Sequence, residues 1–414
     1  MNNVVVIGGG AAGLMAAITA AENGAKVVLL EPNERLGKKI NITGKGRCNV
    51  TNDTDLDGLM ANIPRNGRFL YSALSRFSSR DTMAFFEKAG AALKVERGNR
   101  VFPQSDSAFT ITDALKRRVK ETGVHWVRDR AVDIELTDGA VTAVRGEKGT
   151  YTADRAIIAT GGCSYPGTGS TGDGYRLAEA LGHTVVEPKG SLVPLVSDDG
   201  SCREMQGLAL KNVELTVTNA KKKVVFHELG EMLFTHFGIS GPLVLSASAH
   251  LRDWEKGGYR LSIDLKPALD EQKLDSRILR DIGDNPNRDA EKLLGGLVPH
   301  SMVGVLQRRL GWPRGLKSHS ITKEQRRALV LMLKDFPISI TGVRPVSEAI
   351  VTAGGVKVGE VSPNTMESKL VSGLYFAGEV LDVIIISVDK GAVPQGSETA
   401  HMKFTKISAF RAMM

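Results

Sequence analysis

The chain has 414 residues, 42% hydrophobic and 24% charged, with a formal net charge of +8; a chain this long divides into two or three domains and buries a substantial core. Its lysines and arginines are scattered among 46 acids, which favours ordinary solvated basic faces over a nucleic-acid footprint. Cys48, Cys163 and Cys202 lack the paired spacing of a zinc site or disulfide framework, there is no metal signal, and no run reaches the ~20 apolar residues that span a bilayer. With neither a basic leader nor a cleavage site at the N-terminus, the protein is expected to be soluble and cytoplasmic.

Val4 to Ile7 read as a buried strand that runs into Gly8-Gly9-Gly10-Ala11-Ala12-Gly13. An alanine-rich helix follows, then a second strand, Lys26 to Leu30, closed by Glu31. This is a dinucleotide-binding βαβ pattern. Gly8 allows the tight turn, Gly10 lets the backbone approach a pyrophosphate, and Gly13 lets helix and strand pack closely. The helix N-terminus, through Ala11 and Ala12, offers unpaired N–H groups to phosphate. Glu31 is placed to accept hydrogen bonds from adenosine ribose hydroxyls.

A glycine-rich basic segment, Leu36 to Asn49, comes next, a loop costly to order unless it meets a ligand. Helix-like stretches cover 69–77, 80–89 and 113–122. The alternating strand 130–136 turns at Asp138-Gly139 into 140–145, a hairpin signal. Residues 154–160 read as another buried strand, ending in Gly161-Gly162. Composition changes near Gly190: to about Ile340 the chain reads as strands (210–218, 222–228, 259–265) and then charged amphipathic helices between 268 and 335, with Lys221-Lys222-Lys223 as a hairpin turn. Strand and turn signals resume near Val351, so the first domain is discontinuous: 1–189 and 341–414, around an inserted domain 190–340.

Two late features decide the dinucleotide. Thr160-Gly161-Gly162, with Thr171-Gly172-Asp173-Gly174 opening a helix, supplies a second close backbone approach. Gly378-Glu379 ends a strand with a carboxylate suited to a ribityl chain. An FAD needs contacts from both ends of such a domain, whereas NAD needs only the first crevice. FAD is therefore the expected cofactor.

On Thr43-Gly44-Lys45-Gly46-Arg47-Cys48-Asn49-Val50-Thr51-Asn52, Leu233 to Pro242, Val351 to Val356, Met366-Glu367-Ser368-Lys369 and Gly378-Glu379, the chain resembles the bacterial aminoacetone-oxidase-like family of NAD(P)/FAD-dependent oxidoreductases, which includes a flavoprotein of bile-acid dehydroxylation. The resemblance runs to about residue 383. It implies an α/β fold: a glutathione-reductase-like FAD-binding Rossmann domain interrupted by a β-barrel-like domain that carries a small helical domain. It also implies that Thr43, Gly44, Gly46, Arg47, Cys48 and Asn49 lie along the pyrophosphate and ribityl portion of FAD, and that Val132 meets the adenine through its backbone.

Arg47, between glycines beside a phosphate, reads as a charge-assisted contact rather than a surface charge. Lys38 and Lys39 divide evenly between the two readings, and Lys39 is carried as a cofactor contact. Cys48 and Cys163 show neither partner cysteine nor activating neighbour, so they read as structural. His236, in Thr-His-Phe-Gly-Ile-Ser-Gly-Pro, is the candidate proton donor on the substrate side, with packing as its equal alternative. Trp126, Trp254 and Trp312 are not interleaved with basic residues as nucleic-acid stacking requires. The expected activity is hydride transfer through flavin N5 with an undefined small-molecule substrate and NAD(P)H as candidate reductant; the inserted region holds no second GxGxxG unit, so a nicotinamide would have to reach the flavin through the substrate pocket, or the reductant is something else. A flavin-bearing RNA-associated protein is the alternative class.

After Val383 the family continues with a Thr-Gly-Gly-Tyr-Asn loop opening a final helix, whereas this chain has Ile384-Ile385-Ile386-Ser387 and an unrelated tail to Met414. Agreement up to one residue and none beyond reads as a frameshift rather than gradual divergence. Losing that helix forfeits ~0.3 to 2 kcal/mol toward negative charge at the flavin, and ~1 kcal/mol for each lost backbone hydrogen bond. The chain is therefore expected to bind FAD weakly. Replacing residues 384–414 with a family-like Thr-Gly-Gly-Tyr-Asn helix should restore a yellow, reducible protein. Purification of the unaltered chain with one FAD per monomer would overturn this account.

Overall fold

A computed structural model describes residues 2–251 and 258–384. Trp254 and the tail beyond Ile384 lie outside the described residues. The chain forms two compact units: one runs to Ser191 and resumes at Pro345, and the other is Leu192–Arg344.

The first unit is built on a five-stranded sheet in the order Leu374–Phe376, Arg155–Ile158, Asn3–Ile7 (β1), Lys26–Leu30 (β2), His125–Val127, with every neighbouring pair parallel. A parallel sheet covered on both faces demands continuous apolar strands, and Val4 to Ile7 meet that demand. Val4 and Val6 join one core with Leu14, Met15 and Ile18 of the helix Ala11–Glu22 (α1); Val5 and Ile7 join a second with Leu70, Leu74 and Leu177. Asp138 (φ 50°) and Gly139 (φ 77°) are both left-handed, as a two-residue hairpin turn between Ala131–Thr137 and Ala140–Gly146 requires. The helices Gly67–Arg76 and Ser79–Lys88 lie where periodicity places them. The third, Ala108–Glu121, starts about a turn before the expected Asp113 because Ala108, Ile111 and Thr112 extend its buried face.

Met366-Glu367-Ser368-Lys369 forms a clasp on the sheet's edge strand. Glu367 Oε1 accepts from the Gly373 N–H (3.0 Å), Ser368 Oγ from the Leu370 and Val371 N–H groups, and Lys369 Nζ donates to the Gly359 carbonyl (2.8 Å). The fully buried His183 ring sits beside this clasp, with Nε2 2.8 Å from Ser368 Oγ and Nδ1 3.5 Å from Glu360 Oε2, edge-on to Phe376.

In the second unit seven strands form an antiparallel sheet in the order Phe336–Ile338, Arg260–Asp264, Ala209–Thr218, Val224–Thr235, Gly238–Ser240, Leu195–Val196, Gly342–Val343. No pairing joins the first and last of these among the described residues. The Lys-rich turn is set by Asn219 Oδ1, which accepts the N–H groups of Lys221 and Lys223. The strand after it therefore starts at Val224 and runs beyond the expected Glu228. Four helices, Glu271–Asp284, Ala290–Gly295, His300–Arg309 and Lys323–Lys334, pack Leu274, Leu294, Leu306 and Leu329 into the same core as Leu215, Phe234 and Ile263. Among the described residues no helix is long and apolar enough to cross a membrane, and no group of three or more His, Cys, Asp or Glu could hold a metal.

Burial holds the His183 imidazole below its ordinary pKa, against the opposing pull of Glu360. A depressed histidine binds its proton less readily folded than unfolded, so its contribution to stability is present above about pH 6.5 and is lost as pH falls through the folded value. Thermal melts between about pH 8 and 5 should show a decline that flattens in His183→Gln; an equal decline in both proteins would remove His183 as its cause.

Candidate functional site

A crevice of about 920 Å³, counted with its open mouth, lies at the carboxyl ends of the parallel strands in the first unit. This is the edge where open α/β sheets bind ligands, where the strand order turns from one direction to the other. Gly8 to Ala12, Glu31, Arg35, Lys39, Thr160, Gly161, Gly378 and Glu379 all line it.

The near wall is backbone. Gly8 (φ 107°) cannot carry a side chain, since a Cβ would stand 2.6 Å from the Ala159 carbonyl oxygen. A Cβ on Gly13 would collide with the Gly8 carbonyl, so the two glycines together bring α1 down onto the turn. At Gly10 a Cβ would meet nothing within 4 Å: it would project into open space at the start of α1, where a ligand backbone can approach. The α1 ladder begins with the Leu14 N–H bonding the Gly10 carbonyl (2.9 Å), leaving the first-turn N–H groups for an anion.

Glu31 is buried and its carboxylate is fixed by the chain itself. Oε2 accepts from the Gly9 N–H (2.6 Å), and Oε1 from the Asn33 N–H (2.9 Å) and Nδ2 (2.7 Å). A carboxylate offers about four lone-pair sites, so three donors orient it and a hydroxyl can take the fourth. The far wall is polar. Lys39 Nζ donates to Ser164 Oγ (2.9 Å) and lies 3.4 Å from Glu379 Oε2, while Thr160 Oγ1 is buried with no hydrogen-bond partner among the described residues. Free N–H donors for phosphate at the helix end, a ribose acceptor in Glu31 and the Lys39–Glu379 cation–carboxylate pair are the donor and acceptor set an FAD demands. The residues present fit that cofactor.

Several of the expected contacts do not line the crevice. Thr43 to Asn49, Val132, Gly13 and Gly162 are not among the crevice's lining residues. Arg47, expected on a phosphate, pairs with Glu96 and with Asp106 (2.6 Å), its guanidinium 4.2 Å over the Phe102 ring; its charge is already met by two carboxylates. The loop around it is strained: Lys45 (φ 58°) and Cys48 (φ 60°) are left-handed beside Gly44 and Gly46, a state that persists only where the surroundings impose it. Cys48 is buried, and burial followed by the charge of Glu379 pushes the Cys163 thiol up, which opposes a reactive thiolate. His236 belongs to the other unit. It is exposed in the link between Val224–Thr235 and Gly238–Ser240, edge-on to Phe237, whose ring also lies under the Arg344 guanidinium at 4.7 Å. Sequence reasoning missed Arg35, Asn33, Ser164 and Thr352; only Arg35 and Asn33, close behind Glu31, carried a positional signal.

The HI0933-like protein Rossmann domain family matches residues 2–385, and the chain belongs to it. The chain is 33% identical over 382 residues to a ribosomal RNA dihydrouridine synthase of Escherichia coli (strain K12), covering 92% of both. It is 30% identical over 394 residues to a 3-dehydro-bile acid delta(4,6)-reductase of Clostridium scindens, covering 92% of this chain and 93% of the relative. A ribosomal RNA dihydrouridine synthase of Haemophilus influenzae is 31% identical over 392 residues, 92% of each. The fold is thus the Rossmann-type FAD-binding α/β fold of an oxidoreductase family, as the resemblance implied.

Glu31→Ala should weaken FAD binding by ~1 to 3 kcal/mol, because a buried acceptor of ribose hydroxyls is lost. Titration of flavin fluorescence reads the change, and an unaltered affinity would remove Glu31 from the site.

Proposed function

We propose that this chain is an FAD-dependent reductase that adds hydrogen across a carbon–carbon double bond conjugated to a carbonyl. One observation carries the reading: relatives that cover most of the chain are named for two unlike substrates and one operation. A dihydrouridine synthase saturates a pyrimidine ring, and a delta(4,6)-reductase of a 3-dehydro-bile acid saturates bonds conjugated to a ketone. When bound, the isoalloxazine supplies two-electron hydride chemistry at N5.

The chain's own residues bind and orient. The start of α1 and Gly10 take the pyrophosphate, Glu31 the adenosine ribose, and Lys39 with Glu379 the polyol. NAD(P)H is the proposed source of the hydride, and a proton completes the saturated bond; with no second GxGxxG motif in Leu192–Arg344, a nicotinamide would have to reach the flavin from solution. His236 is the candidate donor of that proton. A small conjugated carbonyl compound is the first reading of the substrate. A uridine within ribosomal RNA is the second, favoured by two relatives' names.

Anaerobic stopped-flow of the FAD-loaded chain tests both. Bleaching of the flavin by NADH or NADPH should be followed by its return on mixing with a steroid 4-en-3-one or with an rRNA transcript, and the one that restores the colour names the class. If neither a set of enones nor RNA does so, the reading fails. His236→Ala should slow that second phase ~10²-fold while leaving FAD bound; equal losses of rate and melting temperature would mark the histidine as packing.

A further inference from the structure

Thr352 stands one residue along from Val351, which lines the crevice, and is itself fully buried. Its hydroxyl oxygen accepts the backbone N–H groups of Cys163 (2.8 Å) and Ser164 (3.1 Å), on the turn that follows the strand Arg155–Ile158. Its own backbone N–H donates to Glu379 Oε1 (2.8 Å). The side chain also lies against Gly162, where a Cβ would collide with Oγ1. One residue thus ties together three segments that are distant in sequence: the 161–164 turn, the strand Val351–Val356 and the turn carrying Glu379.

Ser164, also fully buried, completes the connection. Its hydroxyl accepts from Lys39 Nζ (2.9 Å) and lies 3.2 Å from Glu379 Oε1 and 3.3 Å from the Ile350 carbonyl. A hydroxyl carries one proton, so it donates to one of those two oxygens at a time while holding the lysine throughout. Oε2 of Glu379 faces Lys39. The carboxylate therefore meets a backbone N–H, a hydroxyl and an ammonium from three segments, which leaves its direction into the crevice little freedom.

We infer that Thr352 and Ser164 are positioning residues for FAD: they touch no part of the crevice surface themselves and act by aiming Glu379 and Lys39 at it. The inference rests on the reading of this crevice as the FAD site. Valine at 352 keeps the shape of threonine but strips the acceptor from two buried N–H groups, whereas serine keeps the acceptor and loses only a methyl.

The test titrates FAD into the full-length apoprotein and follows flavin fluorescence, the visible spectrum of the bound flavin and the melting temperature of the apoprotein. Thr352→Val should raise the FAD Kd about tenfold, the loss of roughly one buried hydrogen bond, and shift the bound flavin's visible bands; Thr352→Ser should stay within about threefold of the unaltered chain. Should the valine variant fail to fold, Ser164→Ala serves in its place and should weaken FAD by a similar factor at unchanged melting temperature. A valine variant that binds FAD like the parent, or a serine variant as impaired as valine, overturns the inference, the latter by showing that the methyl's packing is what matters. Absence of saturable FAD binding both by the unaltered chain and by the chain whose residues 384–414 are replaced with a family-like Thr-Gly-Gly-Tyr-Asn helix would instead sink the cofactor reading, and the inference with it.

Discussion

The approach of α1 to the turn after β1 is the constraint on which the first unit depends. At Gly13 the helix passes so near the Gly8 carbonyl that no side chain fits between them, and Gly8 in turn sits against the Ala159 carbonyl. These two contacts fix helix, first strand and the strand Arg155–Ile158 in one arrangement, and the crevice is the space left at their common end. β1 pairs with β2 on one side and with Arg155–Ile158 on the other; the chain leaving β1 passes through α1 onto one face of the sheet and the chain leaving Arg155–Ile158 passes onto the other through Asp173–Ala180, and a cleft opens between them. An added methyl at either glycine would remove the site by moving the helix.

The far wall depends on a different kind of contact. The edge strand Leu374–Phe376 has only three residues, and its neighbour in the sheet lies more than two hundred positions earlier. So short a strand gains little from its ladder alone. The clasp of Glu367 and Ser368, the buried His183 and the bond from Thr352 to Glu379 supply what the ladder lacks. Pairings of such long sequence separation bear their loop-closure entropy before they are rewarded. The near wall can therefore form from local βαβ contacts, whereas the far wall forms only once the chain has returned from the second unit.

That difference explains what the sequence made legible. The near wall is written in glycines and one acid at fixed spacing because backbone geometry leaves no other choice, so Gly8, Gly10, Gly13 and Glu31 could be assigned by position. The strands Asn3–Ile7, Lys26–Leu30 and Arg155–Ile158 and the helices near 67–88 were legible for the same reason, that burial imposes a period, whereas short strands such as Thr51–Asn52, His125–Val127 and Leu195–Val196 carry too few residues to show one. Arg47 shows what position in the chain does not convey. Its surroundings in the sequence are glycines and suggest an empty site waiting for a phosphate, but Glu96 and Asp106 reach it from another part of the fold. Ser164 and Thr352 lie beyond it altogether, since a threonine that accepts two N–H groups has no pattern of its own. Nor does composition disclose that Lys45 and Cys48 adopt left-handed backbone; both are non-glycine residues held there by their neighbours.

Charge bears on the choice between the two substrate readings. An RNA footprint requires cations that cluster on one face and are free to meet phosphate. In the helical part of the second unit many cations already face carboxylates: Arg308 with Glu204, Lys317 with Asp289, Arg326 with Asp275 and Arg327 with Glu271, each near 2.7 Å. The exposed pairs among them add little to stability, but each pair cancels a charge that would otherwise contribute to a long-range field. Lys221, Lys222 and Lys223, at the tip of the long hairpin, are exposed and have no ion pair among the described residues, yet three charges alone release few counterions. A small conjugated carbonyl compound asks nothing of this field. It needs a dry face beside the flavin and a proton, and for that reason it stands first although the whole chain carries a net charge of +8.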